Sequence, residues 1–506
     1  MQRLLFGVAL TMPACAVGPD YVRPQVSMNA RWSEQADKRL KADKAVEAAW
    51  WKTFADPALD RLIDVAHRQN LPLQVAALRI FEARAQLGVA KGWQYPTIGP
   101  SARVTANGIT DQAADAAGLA RNFRQYEVGF DAVWELDIWG KYRHGVRAAR
   151  ADYLATVADY EAALVSLSAE VARTYVMVRT YETLLALSRS NETIQADALD
   201  IAQARFKNGA TSELDVAQQT ALLETTRTQI PELEIKLRQT QNALSTLLGQ
   251  PTGSVQALLA GQANIPVPPT EIAVGLPAEL LRRRPDIRAA ELRAIAQCDR
   301  IGMAKAELFP RFTLFGMIGT TAINKSAVRN TADASSLFGP GSFVYNAGGS
   351  LFWGILNYQR IQNNVRVEDA RFQQALTEYV NTVLTAAQEA EDGMIGVLRE
   401  QDASVNAQNA VTASELAVKI ALVQYQEGAV DYQRVLDAQR ALLDSQNRLA
   451  NTQSSAATSL IALYKALGGG WETRTAPLIP DATRQEMRHR TRWGDHLSNE
   501  TPTTGK

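Results

Sequence analysis

Cys15 is the residue of this 506-residue chain whose surroundings most clearly predict a chemical modification. It follows a basic start, an apolar run from Leu4 to Met12 and the small residue Ala14. This order is typical of an export signal rather than of a membrane span. We therefore expect residues 1–14 to be a signal peptide and Cys15 to carry a covalent lipid. The alternative is an ordinary cysteine inside a cleaved leader.

No other set of residues predicts chemistry on a substrate. The chain has 53 lysine and arginine residues and 53 aspartate and glutamate residues. Its net charge is therefore zero, and no overall electric field would attract nucleic acid. The four histidines and two cysteines are scattered, and we find no phosphate loop, no His-Glu-x-x-His and no nucleophile elbow. Cys298 lies among alanine and isoleucine, which predicts a buried small apolar residue. We expect no enzyme, no metal site, no nucleic acid partner, and no cofactor beyond the lipid on Cys15.

The sequence contains two internal repeats. The residues that follow Leu78 recur after Leu292, at an offset of 214, and those around Gly209 recur around Gly428, at an offset of 219. Such duplication predicts one structural unit that is used twice. Both glycines are expected at chain reversals, since glycine adopts a positive φ at little cost.

Within each repeat, apolar and polar residues alternate as in a membrane strand. The clearest segment runs from Gln125 to Leu136, with the second at Phe343 to Trp353 and weaker ones at Ser101 to Thr110 and Arg311 to Thr320. A period of two over about a dozen residues matches a tilted membrane strand of roughly 10 residues. A soluble antiparallel sheet with one wet face is the alternative. Aromatic residues clustered at the strand ends favour the membrane.

Four strands cannot close a barrel, and hydrocarbon offers no partner to the open edges. Since barrels start at about 8 strands, at least two chains must assemble, and three would give about 12 strands. Long stretches with a thin apolar seam follow the strands: Lys141 to Asn208, Arg360 to Glu427 and Asp431 to Leu467. These stretches predict coiled-coil helices, of which the first would be roughly 100 Å long. The helix surface outside the apolar seam is polar and is suited to line a water-filled lumen.

Several motifs resemble one known family. They are Cys-Ala-Val-Gly-Pro-Asp-Tyr at 15–21, Trp-Trp-Lys-Thr-Phe-Ala-Asp-Pro-Ala-Leu at 50–59, Trp-Glu-Leu-Asp at 134–137, Arg-Arg-Pro-Asp-Ile at 283–287 and Val-Leu-Asp-Ala-Gln-Arg at 435–440. From about Cys15 to Trp471 the chain resembles the outer membrane efflux factors, and more narrowly the NodT-type lipoproteins related to OprM and TolC.

The resemblance implies a mixed α and β homotrimer. Four strands per chain would form a 12-strand barrel in the outer membrane, continued by a 12-helix periplasmic barrel, with an equatorial domain built from the remaining segments. The expected domains are the signal peptide 1–14, a lipidated N-terminal and equatorial segment 15–70, the first repeat 71–250, an inter-repeat equatorial segment 251–280, the second repeat 281–471 and a disordered tail 472–506.

The implied function is a passive duct that exports small toxic molecules or drugs in a tripartite system. The expected partners are a periplasmic adaptor, an inner membrane pump of the proton-driven RND type, and outer membrane lipid. The expected location is the outer membrane of a Gram-negative bacterium, with a lipid anchor and an extension into the periplasm. The alternatives are a duct for type I protein secretion and, from another class, a periplasmic helical adaptor or scaffold lipoprotein.

In the relatives, a gate lies just after the helix turn of each half. Distance from the two glycines places the matching residues at Asp215, Tyr425, Gln433, Arg434 and Asp437. Each has a plainer interpretation as well. Ser212 with Asp215 fits a capping box, Tyr425 could pack on a neighbouring helix, and Asp437 could be part of a solvated face. Three copies of Asp437 around an axis would form a constriction that attracts cations.

Lipidation of Cys15 is directly testable. We expect the purified chain to carry radioactivity when cells are grown with labelled palmitate, and Cys15→Ser to abolish the label because the acceptor thiol is gone. Cys298→Ser is the matched control and should keep the label. An unlabelled wild-type chain would contradict the assignment.

Overall fold

A computed structural model describes residues 16–41, 47–117, 121–261, 263–275, 283–323, 337–473 and 477–498. The predicted signal peptide and Cys15 lie outside the described residues. The fold is mixed α and β and mostly helical. The chain divides into two compact units: unit 1 comprises Met1–Arg23, Glu82–Tyr153 and Glu291–Thr377, and unit 2 comprises Pro24–Phe81, Leu154–Ala290 and Glu378–Lys506.

The elements follow one another in a repeated order of helix, two strands and long helices. The strands are β1 (Leu40–Lys41), β2 (Thr97–Gly108), β3 (Asn122–Glu135), β4 (Ile272–Ala273), β5 (Arg311–Ile323) and β6 (Phe343–Phe352). The α-helices are α1 (Pro57–Gln69), α2 (Leu71–Gly92), α3 (Asp111–Ala117), α4 (Lys141–Lys207), α5 (Glu213–Leu247), α6 (Pro285–Ala306), α7 (Tyr358–Gln426), α8 (Tyr432–Ala466) and α9 (Asp481–Arg490). Among the described helices, none has a stretch long and apolar enough to span a bilayer.

Unit 1 contains a four-stranded sheet in the order β2-β3-β5-β6, in which every neighbouring pair is antiparallel. The strands predicted from alternation are therefore present, and their bounds differ from the prediction by a few residues. Phe130 fixes the register at the centre of the sheet, because it lies opposite Pro100 of β2 and Ile318 of β5. Ile318 in turn lies opposite Tyr345 of β6.

The register sorts the side chains onto two chemically different faces, since directly paired residues share a face. The apolar face carries Ile98, Val104, Val128, Phe130, Ile318, Tyr345 and Leu351. The opposite face is mostly polar and carries Arg103, Thr105, Gln125, Glu127, Asp131, Thr313, Asn346 and Ser350. The sheet thus keeps one face suited to an apolar medium and one suited to water.

Strands β3 and β5 join the two repeats at a pair of glycines. Gly129 lies opposite Gly319. A Cβ at Gly319 would lie 2.3 Å from the carbonyl oxygen of Val128, and one at Gly129 would lie 2.5 Å from that of Ile318. Backbone atoms cannot move aside as a flexible side chain can, so the close approach of the strands requires glycine here.

Unit 2 is built on long helices that polar pairs hold in register. Arg189 of α4 forms an ion pair with Glu234 of α5 at 2.8 Å. Thr180 of α4 donates a hydrogen bond to Ser454 of α8 at 2.9 Å. The serines of α7 and α8, Ser414 and Ser445, are hydrogen-bonded at 3.1 Å. The coiled-coil prediction placed these helices correctly to within one or two residues.

The aromatic motif at residues 50–59 forms part of the core of unit 2. Trp50 is fully buried and stacks on Tyr464, with ring centroids 5.5 Å apart. Asp56 caps α1 by accepting hydrogen bonds from the backbone N–H groups of Ala58 and Leu59. In the same unit, β1 pairs in parallel with β4, so the N-terminal segment contacts the inter-repeat segment.

The prediction of a disordered tail over 472–506 is wrong for the described part of that segment. Residues Asp481–Arg490 form helix α9, and a short 3-10 helix follows at Gly494–Leu497. Leu478, Ile479, Met487 and Leu497 are buried. These few apolar residues are too widely spaced to produce a helical period in the sequence, yet each one anchors the segment by removing apolar surface from water.

Gly319→Ala is expected to destabilise the sheet, because the new Cβ overlaps backbone atoms of β3. Overpacking of this kind costs about 1–3 kcal/mol. Gly316→Ala is the matched control on the same strand, since a Cβ there meets its nearest atom at 3.6 Å. Samples are heated to a series of temperatures before electrophoresis in detergent. The measurement is the temperature at which the band of the folded species disappears. If the folded band disappeared at the same temperature in both variants, the close approach of β3 and β5 would not require glycine at position 319.

Candidate functional site

The candidate site lies where the two long hairpins of unit 2 reverse direction. Helix α4 ends at Lys207, and Gly209 follows with a φ of 69°. The N–H of Gly209 donates to the carbonyl of Phe206 at 2.9 Å, and that of Ala210 donates to the carbonyl of Arg205 at 2.8 Å. This pair of bonds is a Schellman motif, which stops the helix and satisfies its last carbonyl groups.

The second hairpin uses the same motif. Helix α7 ends at Gln426, and Gly428 follows with a φ of 77°. Its N–H donates to the carbonyl of Tyr425 at 3.0 Å, and the N–H of Ala429 donates to the carbonyl of Gln424 at 2.9 Å. The two repeats therefore end their long helices by the same geometry.

Tyr425 lies at the centre of the contacts between the two turns. It is 3% exposed, and its ring packs on that of Tyr432 with centroids 4.8 Å apart. The guanidinium carbon of Arg205 lies 4.7 Å from the Tyr425 ring centroid. A cation over an aromatic ring at this distance is stabilising. The packing interpretation of Tyr425 is thus correct within one chain.

Arg205 connects the first turn to the second. Its guanidinium donates to the backbone carbonyl of Tyr425 at 2.8 Å and to that of Gln426 at 3.0 Å. Both carbonyls lie at the C-terminal end of α7, where a cation is favoured by the helix dipole. Sequence reasoning missed Arg205 because the equivalent position of the second repeat is Gln424.

A chain of hydroxyl groups leads from Tyr425 to Asp215. The hydroxyl of Tyr425 donates to Oγ1 of Thr211 at 3.3 Å, and Thr211 donates to Oδ2 of Asp215. Ser212 is the N-cap residue of α5, but its side chain makes no capping hydrogen bond. The capping-box interpretation of Ser212 and Asp215 is therefore wrong, because the carboxylate of Asp215 is held by Thr211.

The remaining predicted gate residues lie on the exposed face of α8. Gln433 donates to the carboxylate of Asp437 at 2.9 Å, and Arg440 lies 4.0 Å from the same carboxylate. Arg434 is exposed and forms no ion pair with any residue that the structure describes. The backbone N–H of Arg434 is capped by Asp431. Within one chain, the structure therefore does not bring Arg434 and Asp437 together.

Below this exposed face lies a buried cluster that sequence reasoning did not identify. Tyr432, Val435 and Leu436 pack with Tyr425 and Leu222 in an apolar cluster. The hydroxyl of Tyr432 has no hydrogen-bond partner among the described residues. Burial raises the pKa of Tyr432, and the nearby Tyr425 and Asp215 raise it further. The phenol therefore stays neutral at physiological pH.

Gln195, Gln219 and Gln439 are buried on the long helices, further from the two turns. Gln219 donates to the backbone carbonyl of Gln195 at 2.7 Å, and Gln439 is 2% exposed. One sequence signal could have found two of them. The pattern Gln-x-Ala-Leu-Leu followed by an acidic residue begins at Gln219 and again at Gln439.

Comparison with known proteins then identifies the family. The sequence profile described as "Outer membrane efflux protein" matches residues 62–250 and 276–469, well over half of the chain. The chain belongs to the outer membrane efflux protein family. Proteins of this family are passive outer membrane channels and not enzymes, so this chain is an outer membrane efflux channel.

The alignments with individual relatives cover most of this chain and most of each relative. Outer membrane protein OprJ of Pseudomonas aeruginosa is 33% identical over 485 residues, which cover 93% of this chain and 97% of OprJ. Solvent efflux pump outer membrane protein SrpC of Pseudomonas putida is 32% identical, over 91% of this chain and 97% of SrpC. The solved structure of the outer-membrane channel OprN is 29% identical and has a TM-score of 0.83, over 90% of this chain and 100% of that chain.

Arg205→Gln is expected to loosen both turns of this efflux channel, because it removes two hydrogen bonds and the cation–ring contact. A loss of about 1–2 kcal/mol corresponds to roughly 5–30-fold faster hydrogen exchange of the turn amides. The measurement is hydrogen–deuterium exchange of peptides covering 205–212 and 424–432. Arg448→Gln, which removes an exposed ion pair with Asp444 on α8, should leave these peptides unchanged. Equal protection in the two variants would contradict the role of Arg205.

Proposed function

We propose that this chain acts as a lipid-anchored homotrimer that forms the outer membrane duct of a tripartite efflux system. The observation that carries the proposal is the sheet of unit 1, whose two end strands each pair on one side only within the described part of the chain. Such edges require a partner inside a membrane, because hydrocarbon cannot hydrogen-bond to the free N–H and C=O groups.

The chemistry of the two faces supports closure with copies of the same chain. Ile98, Phe130 and Tyr345 on the apolar face are 66%, 57% and 74% exposed. A face of this kind suits the lipid side of a barrel, and the polar face suits a wet lumen. Strand β2 of one chain pairing with β6 of the next would continue the sheet, and three copies would give 12 strands.

The long helix pairs would then line a tunnel in the periplasm, with the turns at Gly209 and Gly428 at its far end. In this arrangement, three copies of the candidate site encircle the tunnel end. The links from Arg205 to Tyr425 and from Tyr425 through Thr211 to Asp215 would hold the two turns of each chain together in the closed gate. The exposed residues Gln433, Arg434 and Asp437 face the neighbouring copies and complete the gate.

The partners and cargo follow from the proposed role. A duct provides a path but no free energy, so an inner membrane pump, proposed to be of the RND type, must drive export, and a periplasmic adaptor must open the gate. SrpC is named for solvent efflux, which supports small toxic molecules as the cargo class. Lipid on Cys15 would anchor each chain to the outer membrane.

Deletion of the coding sequence separates drug export from protein secretion. We expect the deletion strain to become more sensitive to antibiotics and solvents, with an unchanged secreted proteome, and the wild-type chain to restore resistance. Loss of a secreted protein with unchanged susceptibility would instead support the type I secretion alternative and would contradict the proposal.

Substitution of the charged residues Arg434 and Asp437 tests the gate assignment. The double substitution Arg434→Ala and Asp437→Ala should raise the single-channel conductance of the purified protein in planar bilayers, because it removes the charged side chains that face the neighbouring copies in the closed gate. The double substitution Asp444→Ala and Arg448→Ala is the matched control, since this exposed ion pair lies on the same helix seven or more residues away. An unchanged conductance in the first variant would remove the gate assignment.

A further inference from the structure

A cavity of about 300 Å³ lies in unit 1 where β5 and β6 meet the helices. Strand β5 begins there at Arg311, and helix α7 begins a few residues after β6 ends. The cavity is lined by Glu307, Phe309, Arg311, Phe352, Asn357 and Arg360. Two arginines and two phenylalanines thus surround one space.

The charges around the cavity are unbalanced. Glu307 is paired with Lys141, whose amine lies 3.3 Å from its carboxylate. Arg311 and Arg360 are exposed, and neither forms an ion pair with any residue that the structure describes. The first turn of α7, which contains Arg360, adds the partial positive charge of a helix N-terminus. The cavity therefore has a net positive character.

One wall of the cavity is aromatic. The guanidinium carbon of Arg311 lies 4.9 Å from the ring centroid of Phe352, its direct partner across the strands. A guanidinium held against an aromatic ring keeps its N–H donors free to point at an anion, and guanidinium binds carboxylate with two parallel hydrogen bonds. An aromatic ring of a ligand could pack on Phe309 and Phe352 at the same time.

The register of the strands shows that Arg311 and Phe352 of the cavity lie on the polar face of the sheet. Arg311 and Thr313 are two residues apart and share a face. Thr313 lies opposite Glu135 of β3 and Ser350 of β6, both on the polar face. Phe352, opposite Arg311, is on that face as well. In a closed barrel, this face lines the lumen and not the lipid.

We propose that this cavity is a binding site for anionic aromatic cargo, with the carboxylate of an aryl carboxylate on Arg311 and Arg360 and its ring on the phenylalanines. The inference rests on the proposed function, because the lumen exists only in the assembled channel. Each trimer would contain three such sites. Cargo of this class would be concentrated at the entrance to the barrel before it leaves the cell.

Equilibrium dialysis of the full-length trimer in detergent tests the site, with radiolabelled 1-naphthoate as the probe. We expect saturable binding of one naphthoate per chain that weakens as salt is added, because screening reduces the attraction between charges. The double substitution Arg311→Gln and Arg360→Gln should weaken binding by about tenfold or more, since each charge-assisted hydrogen bond is strong. The neutral analogue 1-naphthamide should bind no better to wild type than to the double variant.

Arg103→Gln is the matched control, because Arg103 also lies on the polar face but is 3.9 Å from Glu127 and outside the cavity. It should bind naphthoate as the wild type does. Three results would overturn the inference: no binding to the wild-type trimer, as expected if a neighbouring copy covers the cavity; equal binding to wild type and double variant; or equal loss in the Arg103 variant. A wild-type chain that restores antibiotic resistance but binds no naphthoate would overturn this inference alone, and the proposed function would stand.

Discussion

Unpaired backbone groups on two strands set the constraint on which the rest of the structure depends. In the sheet β2-β3-β5-β6, the outer strands Thr97–Gly108 and Phe343–Phe352 each have a neighbour on one side only among the residues that the structure describes. The cost of leaving such groups without hydrogen bonds in hydrocarbon is several kcal/mol for each group. The apolar face of the same sheet would meanwhile be exposed to water in an isolated chain. The proposed closure with sister chains would solve both problems.

The same constraint explains the division of residues between the two faces. A barrel strand must present apolar side chains outward and polar ones inward, and the register meets this condition over most of the sheet, with Phe315 and Met317 of β5 as apolar residues on the otherwise polar face. The glycine pair Gly129 and Gly319 allows the two repeats to approach closely at the centre of the sheet. Arg311 and Phe352 end the polar face at the point where the helices begin. In the proposed barrel they would give the lumen a charged and aromatic margin.

The sequence was sufficient to predict the strands and long helices, but it was not sufficient to predict the contacts between them. Alternation predicted the strands around Phe130 and Tyr345, and the glycines at 209 and 428 predicted the ends of the long helices, because both signals are local. The network around Tyr425 could not be predicted, since Arg205 and Thr211 come from the other repeat, more than 200 positions away. The helix at Asp481–Arg490 was missed for a related reason, as its order depends on a few buried anchors and not on a periodic pattern.

The most direct test of the central claim is the mass of the full-length chain purified in mild detergent, measured by light scattering with the detergent contribution subtracted. Closure of the sheet by sister chains predicts a protein mass of about three times that of one chain, which is 55.3 kDa before the signal peptide is removed. A monomer of one chain mass that remains folded and soluble after the detergent is removed would contradict the account, because both strand edges and the apolar face would then need no partner.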